Sequence, residues 1–176
     1  MKNVLNVYLE FLNDADKKVT KFVNVSGAII LKQNEEEQNS ILLIRRSPTD
    51  HWKLIWEYPR GKCSSKENLE KCLKREVKEE TGLDVDIIKY IDQYDYIADH
   101  GTRKSTQHNF LCKMSNPKQK VKLSFEHDQY KWVSSVGEVE LLVPAEMKKT
   151  ISKVLNTYDQ IVNYRDNMVD KEKIGE

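Results

Sequence analysis

Between Gly61 and Leu83 the chain reads GKCSSKENLEKCLKREVKEETGL, and Leu69, Cys72, Leu73 and Val77 recur there at helical spacing. The spacing predicts a helix over about residues 65–81, with Ser64 and Glu67 as a capping box and Gly82 as a left-handed stop. At about 100° per residue the four apolar side chains form one stripe, and Lys71, Lys74 and Lys78 fall on the opposite side. Glu76 and Glu80 project into the middle of that stripe, and Glu79 sits at its edge. Carboxylates one turn apart repel each other, and in the last turns of a helix they also oppose its dipole. Burying them unpaired costs several kcal/mol each or forces them to take up protons. A hard divalent cation removes all three penalties, because oxygen ligands one turn apart converge on it. Spacing alone leaves a second reading open, a solvated charged helix with an imperfect apolar stripe.

The order of the fixed residues carries more. Gly61, five residues, Glu67, seven residues, then Arg75-Glu76-Val77-Lys78-Glu79-Glu80-Thr81-Gly82-Leu83 matches the Nudix box at every fixed position, with Val77 and Leu83 as its bulky aliphatic residues. The chain therefore resembles the Nudix hydrolases. The resemblance implies an α+β fold, the Nudix fold, in which a mixed β-sheet is sandwiched between α-helices. It implies cleavage of a nucleoside diphosphate linked to a further moiety, by attack of water on phosphorus. Glu76, Glu79 and Glu80 map onto the family's metal-binding carboxylates. Three carboxylates without His or Cys suit Mg²⁺, with Mn²⁺ as the alternative. Arg75 is expected to orient a carboxylate through its guanidinium fork. Gly61 is expected to let the backbone turn closely beside the metal, and Glu67 to serve the helix cap.

Outside the box, Glu126 in FEHDQYKWVS is the candidate for a further carboxylate, as base or added ligand; between Glu126 and Glu79 the base is left open. Ser124 to Val133 resembles the corresponding stretch of asymmetric diadenosine tetraphosphate hydrolases, which implies that His127 and Tyr130 flank a substrate pocket. Trp56-Glu57-Tyr58-Pro59-Arg60-Gly61-Lys62 instead resembles the approach to the box in mRNA decapping enzymes. Arg60, Arg46 and Lys104 are the cations expected to meet phosphate, with Arg45 and Arg103 beside them. Trp52, Trp56, Tyr58, Tyr94 and Tyr130 are candidates for base stacking, at least half of them expected in the core. The expected partner is a nucleotide or dinucleotide, with an RNA 5′ end as the alternative and no DNA. A reading of another class is a Nudix fold kept only for binding RNA; its mark would be lost box carboxylates, and every one is present.

A chain of 176 residues with net charge +1 fits a single domain, 1–176, with its core at about 24–164 and a charged tail at 165–176. That charge gives no global attraction to nucleic acid, and no apolar run approaches the length of a membrane span, so no membrane partner is expected. The start, MKNVLNVYLEFLND, lacks a small-residue cleavage site and reads as structure, a short helix or an extended segment. Three cysteines without metal-ligand spacing suggest free thiols in a reducing, cytoplasmic setting. Strands are expected over 19–31, 41–46, 85–98, 105–114 and 122–133, with Tyr90, Tyr94 and Tyr96 on one alternating face. Residues 34–40 read as a hairpin loop and 145–164 as a closing helix.

Overall fold

The computed structural model describes residues 19–33, 39–50, 52–135, 137–138 and 143–157. The chain opens with β1 (Lys21–Gln33), β2 (Asn39–Arg46), β3 (Trp56–Glu57) and β4 (Arg60–Lys62). Helix α1 (Leu69–Thr81) follows, then β5 (Val85–Ala98), β6 (Arg103–Met114) and β7 (His127–Val133). A second helix, α2, runs from 145 to the last described residue, 157. The strands form one sheet in the order β3-β2-β1-β6-β5, with β4 added to β1 and β7 added to β2. β1 and β6 pair in parallel and the other pairs are antiparallel, so the sheet is mixed, as expected.

Alternation along the strands feeds two cores. Ala28, Ile30, Leu42 and Ile44 meet Leu73, Val77 and Leu83 on the α1 face. Ile29, Leu31, Ile41 and Leu43 meet Met147, Ile151, Val154 and Leu155 on the α2 face. Each fully buried Leu, Ile or Val contributes about 1.5–3 kcal/mol. That burial, more than intrinsic propensity, holds a 13-residue helix such as α1. Gly27 is required by close approach: a side chain there would run into the Tyr58 ring and Gln107.

The helix begins later than its spacing predicts. Ser64 is kept in a turn, where it accepts the Glu67 N–H, and Asn68 caps the helix, its Oδ1 accepting the Lys71 N–H at 2.8 Å. Cys63 donates its N–H to Asn24 of β1, which holds this stretch on the sheet and away from the helix axis. Gly82 ends the helix at φ 70°, with its N–H on the Lys78 carbonyl, as expected. The expectation of free thiols is corrected for two cysteines. Cys63 and Cys72 form a disulfide, because β4 brings the first alongside the buried face of α1, with Cα atoms 5.2 Å apart. Cys112 is a free thiol in the core, where burial pushes its pKa up to about 12.

Strand β5 also departs from simple alternation. Its register with β6 slips at Ile88 and again at Ile91. The second bulge turns Tyr90 to the α1 face, edge-on to Phe110, while Tyr94 packs into the core under α2. The three tyrosines therefore do not share one face. β7 starts at His127, later than expected, because 121–124 form no ladder and a turn intervenes. Among the described residues no helix is long and apolar enough to cross a membrane. The expectations for residues 3–12, most of the 34–40 loop, the end of the last helix and the 165–176 tail fall outside the described residues.

Candidate active site

Arg75 is the centre of the box. Its guanidinium donates to Glu67 from Nε and Nη2 at 3.0 and 2.9 Å, to Glu76 Oε1 at 2.7 Å and to Glu79 Oε2 at 3.1 Å. A planar cation with five donors is suited to hold several carboxylates in a fixed arrangement. The fork on Glu67 lowers that carboxyl's pKa, and the same bonds raise the arginine's own. Glu67 thus belongs to the Arg75 network. Its cap contact is a long bond from the Ser64 N–H at 3.4 Å, secondary to Asn68.

The three box glutamates sit at three depths. Glu79 is exposed, Glu76 is half-buried and Glu80 is only 5% exposed. Burial raises the Glu76 pKa, opposed by Arg75. Burial raises Glu80 much further, with the nearby Glu57 carboxylate adding to it. Glu80 Oε2 accepts the Arg60 backbone N–H at 2.9 Å, which couples α1 to β4. Gly61 faces α1 from opposite Ser26, and a Cβ there would overlap the Glu76 carboxyl group. Its φ is not positive, so what it supplies is space for Glu76, not a turn.

Sequence reasoning did not single out Glu57, which is the second hub. It is 1% exposed and ion-paired to Arg46 and Arg60, with Arg60 Nε 2.7 Å from its Oε2. Burial would raise its carboxyl, but Arg60, His127 and Arg46 outweigh that and bring it well below the usual range. Glu57 and Glu80 are thus two buried carboxyls that their surroundings shift in opposite directions. The buried His127 ring lies between them, its Nε2 3.6 Å from Glu57 and 4.0 Å from Glu80 and without a hydrogen-bond partner among the described residues. A charged residue between Trp56 and Tyr58 was the only sequence signal for this hub.

The other candidates fall at stated places. Arg46 contacts Asp50 at 3.1 Å and Glu126 at 3.7 Å besides Glu57. Arg60 also donates to Tyr96 and Gln107, and its guanidinium lies over the Tyr96 ring. Lys104 pairs with Asp95 at 2.8 Å and lies opposite Phe22 of β1, whereas Gly61 lies opposite Ser26. Of the stacking candidates, Tyr58 is in the core and Trp56 and Tyr94 pack against it, while Tyr130 is 49% exposed. β7 carries one extra residue, Asp128, opposite the Arg45–Arg46 step. That bulge puts His127 and Tyr130 on one face although they are three apart, and it is the α1 face, where Tyr130 pairs with Ile44. The preceding turn is tied down on both sides: the Ser124 N–H donates to the Glu80 carbonyl at 3.0 Å, and the Ser47 N–H to the Glu126 carbonyl at 2.8 Å.

Together, these ties bring Glu76, Glu79, Glu80, Arg75, Gly61, Glu57, Arg46, Arg60, Glu126 and His127 into one connected region. The NUDIX domain family model matches residues 23–155. The chain belongs to the Nudix hydrolase family. Over 96 residues this Nudix protein is 38% identical to mRNA-decapping enzyme subunit 2 of Arabidopsis thaliana, a match covering 52% of this chain and 24% of the relative. Over 80 residues it is 40% identical to the m7GpppN-mRNA hydrolase of Saccharomyces cerevisiae, covering 46% of this chain and 7% of that one. The chain thus spans a quarter or less of these curated relatives. Among solved structures, the MutT protein of Methanosarcina mazei Go1 superposes with TM-score 0.64 at 26% identity, over 81% of this chain and 99% of that one. A C. elegans Ap4A hydrolase in a binary complex gives 0.61 at 21% identity, over 80% and 98%, a likeness of fold alone.

Nudix hydrolases generally use divalent metal ions. Among the described residues no three Asp, Glu, His or Cys side chains are grouped as a ready metal cage, since Arg75 stands among the box carboxylates. The donor set still fits a hard cation. It is all oxygen, one member is buried with its pKa raised, and a glycine leaves room for another.

Proposed function

We propose that this Nudix hydrolase opens a phosphoanhydride bond of a dinucleoside polyphosphate such as diadenosine tetraphosphate, with Mg²⁺ as cofactor and Mn²⁺ as the alternative. The observation that supports the reading is the anchoring of the turn before β7 to Glu80 of α1. The Ser124–Glu80 bond ties the turn that carries Glu126 to the box helix, and the Asp128 bulge turns His127 and Tyr130 to the α1 face of the sheet. Glu76, Glu79 and Glu80 would hold the metal, with Glu126 as a further carboxylate. A bound metal would offset charge on the phosphate oxygens and lower the pKa of the attacking water. Arg75 holds Glu76 and Glu79 in register, and Arg46 and Arg60 keep Glu57 ionised beside Glu80. Glu126 or Glu79 takes the proton from water, and Tyr130 offers a ring to a base.

Charge pairing supports a small substrate. Arg45, Arg46, Arg60, Arg75, Arg103 and Lys104 each have a carboxylate partner within the protein. A polymer would need these cations for its phosphates. The second reading, hydrolysis at an RNA 5′ end, is favoured by the decapping relatives and by the segment 56–62 that builds β3 and β4.

The test is kcat/KM for diadenosine tetraphosphate and for capped RNA, each at two salt concentrations. The expected result is a preference for the dinucleotide with shallow salt dependence. A preference for capped RNA that falls steeply with salt, as released counterions require, overturns the first reading. Absence of turnover on both, with tight RNA binding, overturns hydrolysis itself.

A further inference from the structure

The turn before β7 presents an aromatic ring that nothing among the described residues covers. Phe125 is 92% exposed, against 49% for Tyr130. Loose chain does not account for it. The Ser124 N–H is bonded to the Glu80 carbonyl, the His127 N–H closes the turn on the Ser124 carbonyl at 3.2 Å, and the Glu126 carbonyl accepts from Ser47. The Phe125 backbone is thus held one residue from an anchor on α1 and one residue from Glu126, whose carboxylate is 3.7 Å from Arg46.

Leu54 stands at the same end of β2. Its N–H donates to the Arg46 carbonyl at 3.1 Å, and it is held at φ 61°, a left-handed conformation costly for leucine, with its side chain exposed. Two apolar side chains on separate loops are therefore kept in water at the end of β2 that carries Arg46, Leu54 from the β3 side and Phe125 from the β7 side. The exposed Ile88, Tyr90 and Ile97 lie on β5, at the other edge of the sheet, and do not join them into a patch.

We propose that Phe125, with Leu54 at the same end of β2, forms a platform on which a nucleobase of the substrate stacks while its phosphates lie over the box. The inference rests on the nucleotide-hydrolase reading above and adds a specificity-determining residue to it. An aromatic face accepts any base, so the platform selects for the presence of a base more than for its identity.

The experiment compares wild type, Phe125→Ala, Phe125→Trp and Leu54→Gly. The substrates are diadenosine tetraphosphate and the matched tetraphosphate in which one adenine is replaced by bare ribose. In Phe125→Ala the ratio of kcat/KM for the two substrates is expected to fall about tenfold or more, mostly through KM. Phe125→Trp should keep the ratio. Leu54→Gly, which relieves the positive φ, should be at least as stable as wild type and yet lower the ratio. An unchanged ratio in Phe125→Ala, or equal losses on both substrates, overturns the platform. Binding of 2-aminopurine riboside triphosphate, read by fluorescence quenching, tests it without turnover. Weaker binding by Phe125→Ala, in a protein that hydrolyses neither tetraphosphate, would sink the substrate reading and keep the platform. Equal binding would sink the platform.

Discussion

Replacing Gly61 with Ala should separate catalysis from folding in this protein. The added Cβ would occupy the space of the Glu76 carboxyl group, and the obstruction is the far end of a side chain, not backbone. The Gly61 backbone accepts an L-residue, since its φ is not positive. Glu76 must therefore swing aside and give up its 2.7 Å bond to Arg75. An off-rotamer glutamate costs about 0.5–1.5 kcal/mol, and a hydrogen bond to a half-exposed charged group adds about 1 kcal/mol. The stiffer unfolded chain returns about 0.4–1 kcal/mol. The net loss is about 1 kcal/mol, a fall of about 2–4 °C in Tm for a chain of this size. Catalysis should suffer far more, because a displacement of about 1 Å in a reacting assembly costs on the order of 100-fold in rate. Shortening the displaced side chain in Gly61→Ala/Glu76→Asp should restore part of that loss. The assays are thermal unfolding and kcat/KM across an Mg²⁺ titration. Activity within twofold of wild type, or unfolding of the variant at ambient temperature, would refute the reasoning.

Glu80→Gln removes a buried ionisable carboxyl. A carboxyl whose folded pKa is raised loses stability as pH climbs from its unfolded value toward its folded one, so at neutral pH without metal the variant should unfold later than wild type. Turnover should fall by at least about 100-fold, the upper range for residues that only orient metal ligands; denaturation with chelator and steady-state kinetics check the two parts. Cys63→Ser opens the loop closed between residues 63 and 72, and should cost about 2.5 kcal/mol in urea unfolding on the loop-entropy scale. The same shift should appear when wild type is treated with a dithiol reductant and be absent when the variant is treated.

What was readable in the sequence depended on how far apart the interacting residues lie. The depth of Glu80 followed from local helical periodicity, which a stretch of some twenty residues contains in full. The start of α1 did not, because Ser64 and Asn68 are both good caps and the choice was made by β1, whose Asn24 holds Cys63 from far away in the sequence. Glu57 escaped notice for the same reason. Its meaning comes from Arg46, Arg60, His127 and Glu80, which arrive from β2, β4, β7 and α1. The resemblance of 124–133 to a known hydrolase segment marked Glu126, His127 and Tyr130, but only the extra residue Asp128 explains how positions three apart in a strand come to one face.

The two bulges of β5 bear on how this molecule behaves in a crowded solution. Fourteen residues rich in tyrosine and isoleucine, on the outer strand of the described sheet, would ordinarily offer a long template to a second chain. Slips at Ile88 and Ile91 break that template, and its longest regular run is Asp92–Ala98, which carries Asp92 and Asp95. A foreign strand would lose register twice along the edge and meet ion-paired side chains, Asp92 with Lys153 and Asp95 with Lys104, on the remainder. The irregularity that re-aims Tyr90 therefore also discourages runaway strand addition, so an edge made to support a core does not become a seed for fibrils.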